Sequence, residues 1–228
     1  MLADDGNRKL YFICKRFIDV ALSTLLLVLL APLFFSIAAA IKLETAGPVL
    51  FVHERVGARR RIEQGRNTWE IRSFSCFKFR SMVAGADQSV HQEYIRAFVH
   101  GRVTAVEGAD VKFKLARDSR ITHVGRILRK TSLDELPQLV NVLRGEMSLV
   151  GPRPVPPYEV AEYTESDVER LAALPGITGL WQVRGRSEVP FGEMIRMDRE
   201  YVRRQSLSLD LQILLATIPA VLFGRGAK

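Results

Sequence analysis

Residues 20–41 read VALSTLLLVLLAPLFFSIAAAI, 22 residues without a charge, between Asp19 and Lys42. About 20 apolar residues suffice to cross a bilayer as a helix, so this stretch belongs in lipid. Pro32 sits near its centre. Proline lacks a backbone N–H and clashes with the carbonyl four residues back, so it kinks or breaks a helix. Broken backbone in lipid needs other partners for its freed carbonyls. Ser36, one turn later, and Ser23 and Thr24 offer hydroxyls. The flanks are basic on both sides: Arg8, Lys9, Lys15 and Arg16 before, Lys42, Arg55 and Arg59, Arg60 and Arg61 after. A single crossing concentrates positive charge on the cytoplasmic side. Basic flanks at both ends suit a helix that enters, breaks at Pro32 and returns to the same face. A kinked spanning helix is the other reading, and the residues alone leave both open.

The 228 residues hold this segment plus one globular domain of ordinary size. A formal net charge of +8 implies an anionic partner. Nucleic acid, anionic lipid and a phosphorylated substrate all qualify, and the membrane segment favours the last two. Cys14 and Cys76 form no C-x-x-C pair and suggest no disulfide framework, which suits a reducing cytoplasm. The apolar run is too long for an ordinary signal-peptide core and has no clean small-x-small cleavage site after it, so it is expected to be retained.

Residues 1–16 read as a short amphipathic lead-in and 17–42 as the membrane helix, broken at Pro32. Gly47-Pro48 marks the exit. Short β-prone stretches at 49–52 and 69–79 flank a basic turn at 57–65. Residues 84–99 read as a polar helix. Leu133, Leu136, Leu139, Val140 and Leu143 give helical periodicity across 126–144. Residues 162–174 read as helical up to Pro175-Gly176. Residues 191–204 place Met194, Met197 and Tyr201 on one face. The apolar tail, 207–223, carries Asp210, Gln212 and Pro219 and is short for a span, so it suits a core or interfacial helix.

The chemistry centres on Ser132-Leu133-Asp134-Glu135-Leu136-Pro137-Gln138. Ser132 and Glu135 have capping-box spacing, and Pro137 is tolerated in a first helical turn. Helix initiation alone therefore explains the segment. A carboxylate at a helix N-terminus is also held ionised by the dipole and the free amides. It is then available as a nucleophile or metal ligand, and Mg²⁺ asks for only one or two carboxylates plus phosphate oxygens. Cations match: Lys78 and Arg80; Arg117, Arg120, Arg126, Arg129 and Lys130; Arg153 within Gly151-Pro152-Arg153-Pro154; Arg184 and Arg186. Guanidinium forks suit phosphate. Any one of them is more often an ordinary solvated or ion-paired surface charge, but the rigid Gly-Pro-Arg-Pro turn is harder to explain by solubility. His53, His91, His100 and His123 lack metal-ligand spacing. No Walker A, G-x-G-x-x-G or G-x-S-x-G motif occurs, which counts against an ATPase, a Rossmann enzyme and an α/β-hydrolase.

These residues resemble the bacterial sugar transferases, the monotopic phosphoglycosyl transferases of glycan assembly. The matching segments are Lys15-Arg16-Phe17-Ile18-Asp19, Gly47-Pro48-Val49-Leu50-Phe51 and Phe77-Lys78-Phe79-Arg80-Ser81-Met82. Next come Asp118-Ser119-Arg120-Ile121-Thr122 with Val124-Gly125-Arg126, the block from Leu128 through Pro154, Pro175-Gly176-Ile177-Thr178-Gly179-Leu180-Trp181-Gln182-Val183, and Asp210-Leu211-Gln212-Ile213-Leu214. The closing Phe223-Gly224-Arg225-Gly226-Ala227 is similar to the branch that starts exopolysaccharide units with galactose or glucose phosphate. The resemblance implies an enzyme that transfers a sugar 1-phosphate from a UDP-sugar to polyprenyl (undecaprenyl) phosphate and releases UMP. Asp134 is the implied nucleophile, through an aspartyl phosphosugar. Glu135 is the implied Mg²⁺ ligand, and Lys78, Arg80, Arg129, Arg153 and Arg186 bind phosphate. Pro32 is the implied break of a re-entrant helix, with Ala31 where members often carry Ser, and the minimal form without further membrane helices is expected.

The expected fold is α+β and mostly helical: residues 1–46 form the lead-in and re-entrant helix, and 47–228 a compact cytoplasmic catalytic domain with interfacial helices and a small β element. The inner membrane's cytoplasmic face, membrane lipid as partner and no nucleic acid complete the expectation. A homodimer is compatible with it. Residues 84–117 and 158–174 are the stretches expected to read the sugar. The competing class is a membrane-anchored basic adaptor without catalysis. A glycosyltransferase releasing UDP would differ only in its nucleotide product, and no βαβ pattern supports one.

Overall fold

The computed structural model describes residues 9–63, 66–85, 89–101, 120–185 and 189–222. It is mostly helical, with two small sheets, as expected of an α+β chain. Helix α1 (Lys9–Leu29) and helix α2 (Ala31–Glu44) meet at Leu30 with a bend of 61°. Pro32 falls in the first turn of α2, where its missing N–H would have had no partner in any case. Ser36 Oγ donates to the Pro32 carbonyl at 3.0 Å. No single described helix is long and apolar enough to cross a membrane; the bent pair together passes that test of length and composition.

The lead-in and the membrane helix are one helix, α1, because the charged residues before Val20 do not cap or stop it. Lys15, Asp19 and Ser23, four apart, form one stripe, and that stripe is buried. Lys15 Nζ donates to Val150 O at 3.0 Å and pairs with Asp210 Oδ2 at 2.8 Å. Asp19 Oδ1 accepts from Leu149 N at 2.9 Å. Arg16 donates to the Val142 and Leu143 carbonyls. The apolar sides of both helices are left outward: Phe17 is 74%, Phe35 77% and Leu43 88% exposed. Helix α1 thus turns a polar stripe inward and α2 buries Ile37 and Ile41, while both leave large apolar side chains outward, which a water-facing helix does not do.

Strands β1 (Leu50–Glu63) and β2 (Arg66–Phe79) form a long antiparallel hairpin, with Leu50 opposite Phe79 and Arg60 opposite Trp69. The stretch read as a basic turn at 57–65 is therefore mainly strand. Arg59 and Arg61 fall on one face of the strand and Arg60 on the other with Ala58 and Ile62, by the period of two. Helix α3 is Ser89–Val99 and helix α4 is His123–Thr131. The latter starts with Thr122 Oγ1 accepting from Gly125 N, while the Glu44 carboxylate takes His123 N and Val124 N. A Cβ on Gly125 would sit 2.0 Å from Ser81 O, so only glycine lets α4 dock there.

The single helix read across 126–144 is broken into α4, a 3₁₀ turn at Leu133–Glu135 and helix α5 (Gln138–Arg144). Strand β3 (Ser148–Val150) pairs in parallel with β4 (Gly176–Thr178). Helix α6 (Pro157–Val160) lies between them in sequence, and the region read as helical at 162–174 holds only a 3₁₀ segment, Asp167–Leu171. Short helix α7 (Leu180–Arg184) leads to α8 (Phe191–Arg204) and α9 (Leu207–Leu222). The main core gathers Phe74, Cys76, Leu139, Val142, Met147, Trp181, Met194, Tyr201 and Ile213, with Leu22 and Leu26 of α1 packed against it. Tail helix α9 both enters this core, through Ile213, and exposes Leu211, Leu215 and Ile218.

Candidate active site

Ser132 is the only non-glycine residue with positive φ among those described, at +58°. It ends α4 in the left-handed region and reverses the chain into the 3₁₀ turn. Leu133 and Leu136 pack into the core beside Phe79 and Leu128. The residues between them, Asp134 and Glu135, are left to line a cavity of about 490 Å³. The capping-box spacing of Ser132 and Glu135 is not used. Ser132 makes no side-chain cap bond, and the Glu135 carboxylate goes to two cations instead. Charge-assisted bonds outweigh a neutral cap.

Lys78 Nζ reaches Glu135 Oε1 at 2.8 Å. Arg153 grips the same carboxylate twice, with Nη2 to Oε1 at 2.6 Å and Nη1 to Oε2 at 3.3 Å. Asp134 is 8% exposed and has no hydrogen bond or ion pair among the described residues. The environments of the two neighbours diverge. Burial lifts the Asp134 carboxyl above its ordinary 3.8, opposed by Lys78 and Arg129. Arg153 and Lys78 outweigh burial at Glu135 and hold it well below the usual carboxylate range. The expected helix-dipole stabilisation of Asp134 does not apply, since it sits in a single buried 3₁₀ turn.

Three residues absent from the expected set hold this geometry. Asn141 of α5 accepts from Phe77 N at 3.0 Å and donates to Ser75 O at 2.7 Å, fixing the strand end that carries Lys78. Arg170 is fully buried and pairs with Asp198; its Nη2 donates to Arg153 O at 3.3 Å. Glu159 completes that network beside Arg170. No spacing in the sequence links these positions, which are brought together only by packing. Gly151-Pro152-Arg153-Pro154 and Pro175-Gly176-Ile177-Thr178-Gly179 prove to be one structure. Gly151 N donates to Thr178 O at 2.9 Å and Gly176 N to Pro152 O at 2.8 Å. A Cβ on Gly151 would lie 2.2 Å from Leu174 O.

The cavity wall brings together Lys78, Arg129, Asp134, Glu135 and Arg153 of the expected set and adds Arg55 and His91. Arg80 lies elsewhere: it is buried and donates to the carbonyls of Thr45 and Ala46 at the exit of α2. Arg184 pairs at 3.7 Å with Glu200 on the surface. Arg186 and Arg117 lie outside the described residues. Among those described, no group of three His, Cys, Asp or Glu side chains stands ready for a metal ion. The donor set beside the cations is two carboxylates, which suits a hard divalent ion sharing oxygens with phosphate.

A buried Asp-Glu pair ringed by Lys78, Arg129 and Arg153 is an arrangement whose charges suit a phosphorylated ligand. A family model described as bacterial sugar transferase matches residues 10–224, and the chain belongs to that family. It is 42% identical over 217 residues to the exopolysaccharide production protein ExoY of Rhizobium meliloti (strain 1021), covering 93% of this chain and 87% of that one. It is 39% identical over 213 residues to the undecaprenyl-phosphate galactose phosphotransferase of Salmonella typhimurium, covering 93% of this chain but 41% of the relative. It is 40% identical over 216 residues to the UDP-glucose:undecaprenyl-phosphate glucose-1-phosphate transferase of Caulobacter vibrioides, covering 91% and 69%.

Proposed function

We propose that the protein is a phosphoglycosyl transferase that moves a sugar 1-phosphate from a UDP-sugar to undecaprenyl phosphate. The observation that carries this is Asp134, a buried carboxylate without a partner among the described residues, beside a cluster of cations on a cavity wall. An Asp134 oxygen attacks the sugar-bearing phosphorus. The bond from that phosphorus to the bridging oxygen breaks, and UMP leaves with the electron pair. A phosphate oxygen of the lipid then attacks the same phosphorus, and the acyl phosphate bond between that phosphorus and the Asp134 oxygen breaks. The product is a lipid diphosphate sugar, and Asp134 is regenerated.

Lys78, Arg129 and Arg153 line the cavity with Asp134 and supply cations for the phosphate oxygens, and fixed cations stabilise the charge that shifts during transfer. Glu135 orients Lys78 and Arg153. It is also the residue that would hold Mg²⁺ jointly with phosphate, and Mg²⁺ would supply charge neutralisation there. Arg186 stays in the phosphate-binding set on the sequence resemblance. Arg80 is reassigned to the α2 exit, because its guanidinium is already engaged there.

Re-entrance belongs to the same proposal. Both ends of the bent pair are tied to one polar body: α1 through Lys15 and Asp19, and α2 through Glu44 to α4 and through Thr45 and Ala46 to Arg80. A chain anchored this way at both ends has its bend, not its ends, in the lipid. The catalytic domain then sits on the cytoplasmic face of the inner membrane. The names of the relatives favour galactose or glucose as the sugar.

The test is UMP release from a panel of UDP-sugars with undecaprenyl phosphate and Mg²⁺, combined with Asp134→Asn and a radiolabelled sugar. Labelled lipid formed by the variant at near wild-type rate would sink the nucleophile assignment. Release of UDP instead of UMP would move the protein to another transferase class. Lipid binding without any nucleotide release would favour a basic adaptor.

A further inference from the structure

The cations around the cavity are not equally engaged. Lys78 and Arg153 share Glu135, and Arg170 is neutralised by Asp198 and Glu159. Arg55 has no ion pair among the described residues. It is half-buried on β1, and its Nε donates to the His53 ring, 3.2 Å from Nδ1. Its ladder position opposite Phe74, like that of His53 opposite Cys76, puts both on the face of the hairpin that carries Lys78. His91 of α3 lines the same cavity, with Nδ1 held at 2.6 Å by the hydroxyl of Tyr158 on α6. The carboxylate that acts on it, Glu159, is already paired with Arg170, and a guanidinium partly withdrawn from water and so placed gains from a visiting anion.

The cavity wall is also divided by element. Leu22, Leu26, Leu214 and Thr217 come from α1 and α9, the helices with apolar outer faces, which pack on each other. Arg55, His91 and Glu159 come from β1, α3 and α6, where α6 packs on both of the others. An acceptor arriving from lipid meets the first group, and a water-soluble nucleotide meets the second. We infer that Arg55, flanked by His91 on its Tyr158 support, forms the subsite for the nucleotide-side phosphate of the sugar-nucleotide donor. This rests on the phosphoglycosyl transfer proposed above. The attacked phosphorus is served by Lys78, Arg129 and Arg153. The phosphate that departs as UMP gains negative charge when its bridging bond breaks, and it needs a cation of its own. Burial and the nearby cations push His91 down to about 4 and His53 to about 2, so at neutral pH both rings are uncharged hydrogen-bonding walls around one positive group.

The experiment compares wild type with Arg55→Gln and Arg55→Lys in three readouts: inhibition by UMP, exchange of labelled UMP into UDP-sugar without acceptor, and the separate KM values for donor and lipid. Arg55→Gln is expected to weaken UMP inhibition and raise the donor KM by about tenfold or more, the scale of a lost charge-assisted bond, with the lipid KM unchanged. Arg55→Lys is expected to recover part of the loss. Normal UMP inhibition and exchange in Arg55→Gln overturn the assignment, and a raised lipid KM instead moves Arg55 to the acceptor. If Arg55→Gln does not fold, Arg55→Lys and Tyr158→Phe decide. Both are expected to weaken UMP inhibition several-fold, and wild-type inhibition in both overturns the subsite. Wild-type enzyme releasing no UMP from any UDP-sugar sinks the transfer chemistry itself, a result distinct from any of these.

Discussion

Arg153 holds Glu135 through both terminal nitrogens, at 2.6 and 3.3 Å, and so takes the charge of one member of an adjacent carboxylate pair while leaving Asp134 free. One residue is fixed and favoured as an anion; the other is buried and destabilised as an anion. Divergent environments of this kind assign different roles to chemically similar groups.

Asp134→Asn is expected to lower transfer by at least about a thousandfold while making the protein more stable at neutral pH, by roughly 1 kcal/mol, a common gain when a strained active-site group is neutralised. The folded-state carboxyl titrates above its ordinary 3.8, so its ionisation opposes folding as pH rises through the folded value. The advantage of the variant should therefore fade below 3.8, where the wild-type group is protonated in both states. Melting curves across pH in detergent check the sign, and intact-protein mass during turnover should show one hexose-phosphate adduct on wild type alone.

Glu135→Gln should behave in the opposite sense. It leaves Lys78 and Arg153 facing each other without the carboxylate that bridges them, and breaking one partner of a buried pair costs about 3 kcal/mol or more. Because the folded carboxyl titrates below its ordinary 4.5, the stabilisation it provides is present above that value and is lost as pH falls through the folded value. Urea unfolding at pH 7 should show the deficit, and a variant as stable as wild type would contradict it.

Asn141→Ala removes the acceptor for Phe77 N and the donor to Ser75 O in a fully buried place. Roughly 2 kcal/mol of stability should go with the unsatisfied groups. The looser strand end should lower kcat by about tenfold through Lys78, a misplacement effect that leaves the donor KM nearly unchanged.

Ser132→Gly should stabilise the fold by about 1 kcal/mol by relieving a left-handed residue with a Cβ. Thermal unfolding measures it. A loss of stability would show that the serine side chain supplies something its lack of a cap bond conceals.

Both ends of the bent pair should lie on one side of the membrane. In a background without Cys14 and Cys76, single cysteines replacing Leu10 and Leu43 should react with an impermeant maleimide only from the cytoplasmic side. Reaction from opposite sides would reject re-entrance.

Several parts of this molecule were legible from local pattern. The uncharged run with Pro32, the α8 bounds at Phe191–Arg204, and the helix-poor Gly-Pro segments follow from sequence-local rules. The family resemblance was equally visible, since a motif is a local string. Local rules also misled. The arginine-rich 57–62 stretch reads as a turn, yet cross-strand pairing with 67–72 keeps it extended. Capping-box spacing at Ser132 reads as a helix start, yet it is where α4 ends.

The sequence by itself determined that this is a basic chain of the bacterial sugar transferases with one long uncharged run. Apolar length, charge balance and short motifs are properties of neighbouring residues. Only the tertiary structure decided what each charge does. Lys15 and Asp19 turned from membrane flank into internal ties, Arg80 into a helix-exit clamp, and Asn141 and Arg170 into supports for Lys78 and Arg153. A buried polar group takes its role from the partners that folding delivers, here from 17 to 135 residues away, and no spacing along the chain encodes those distances.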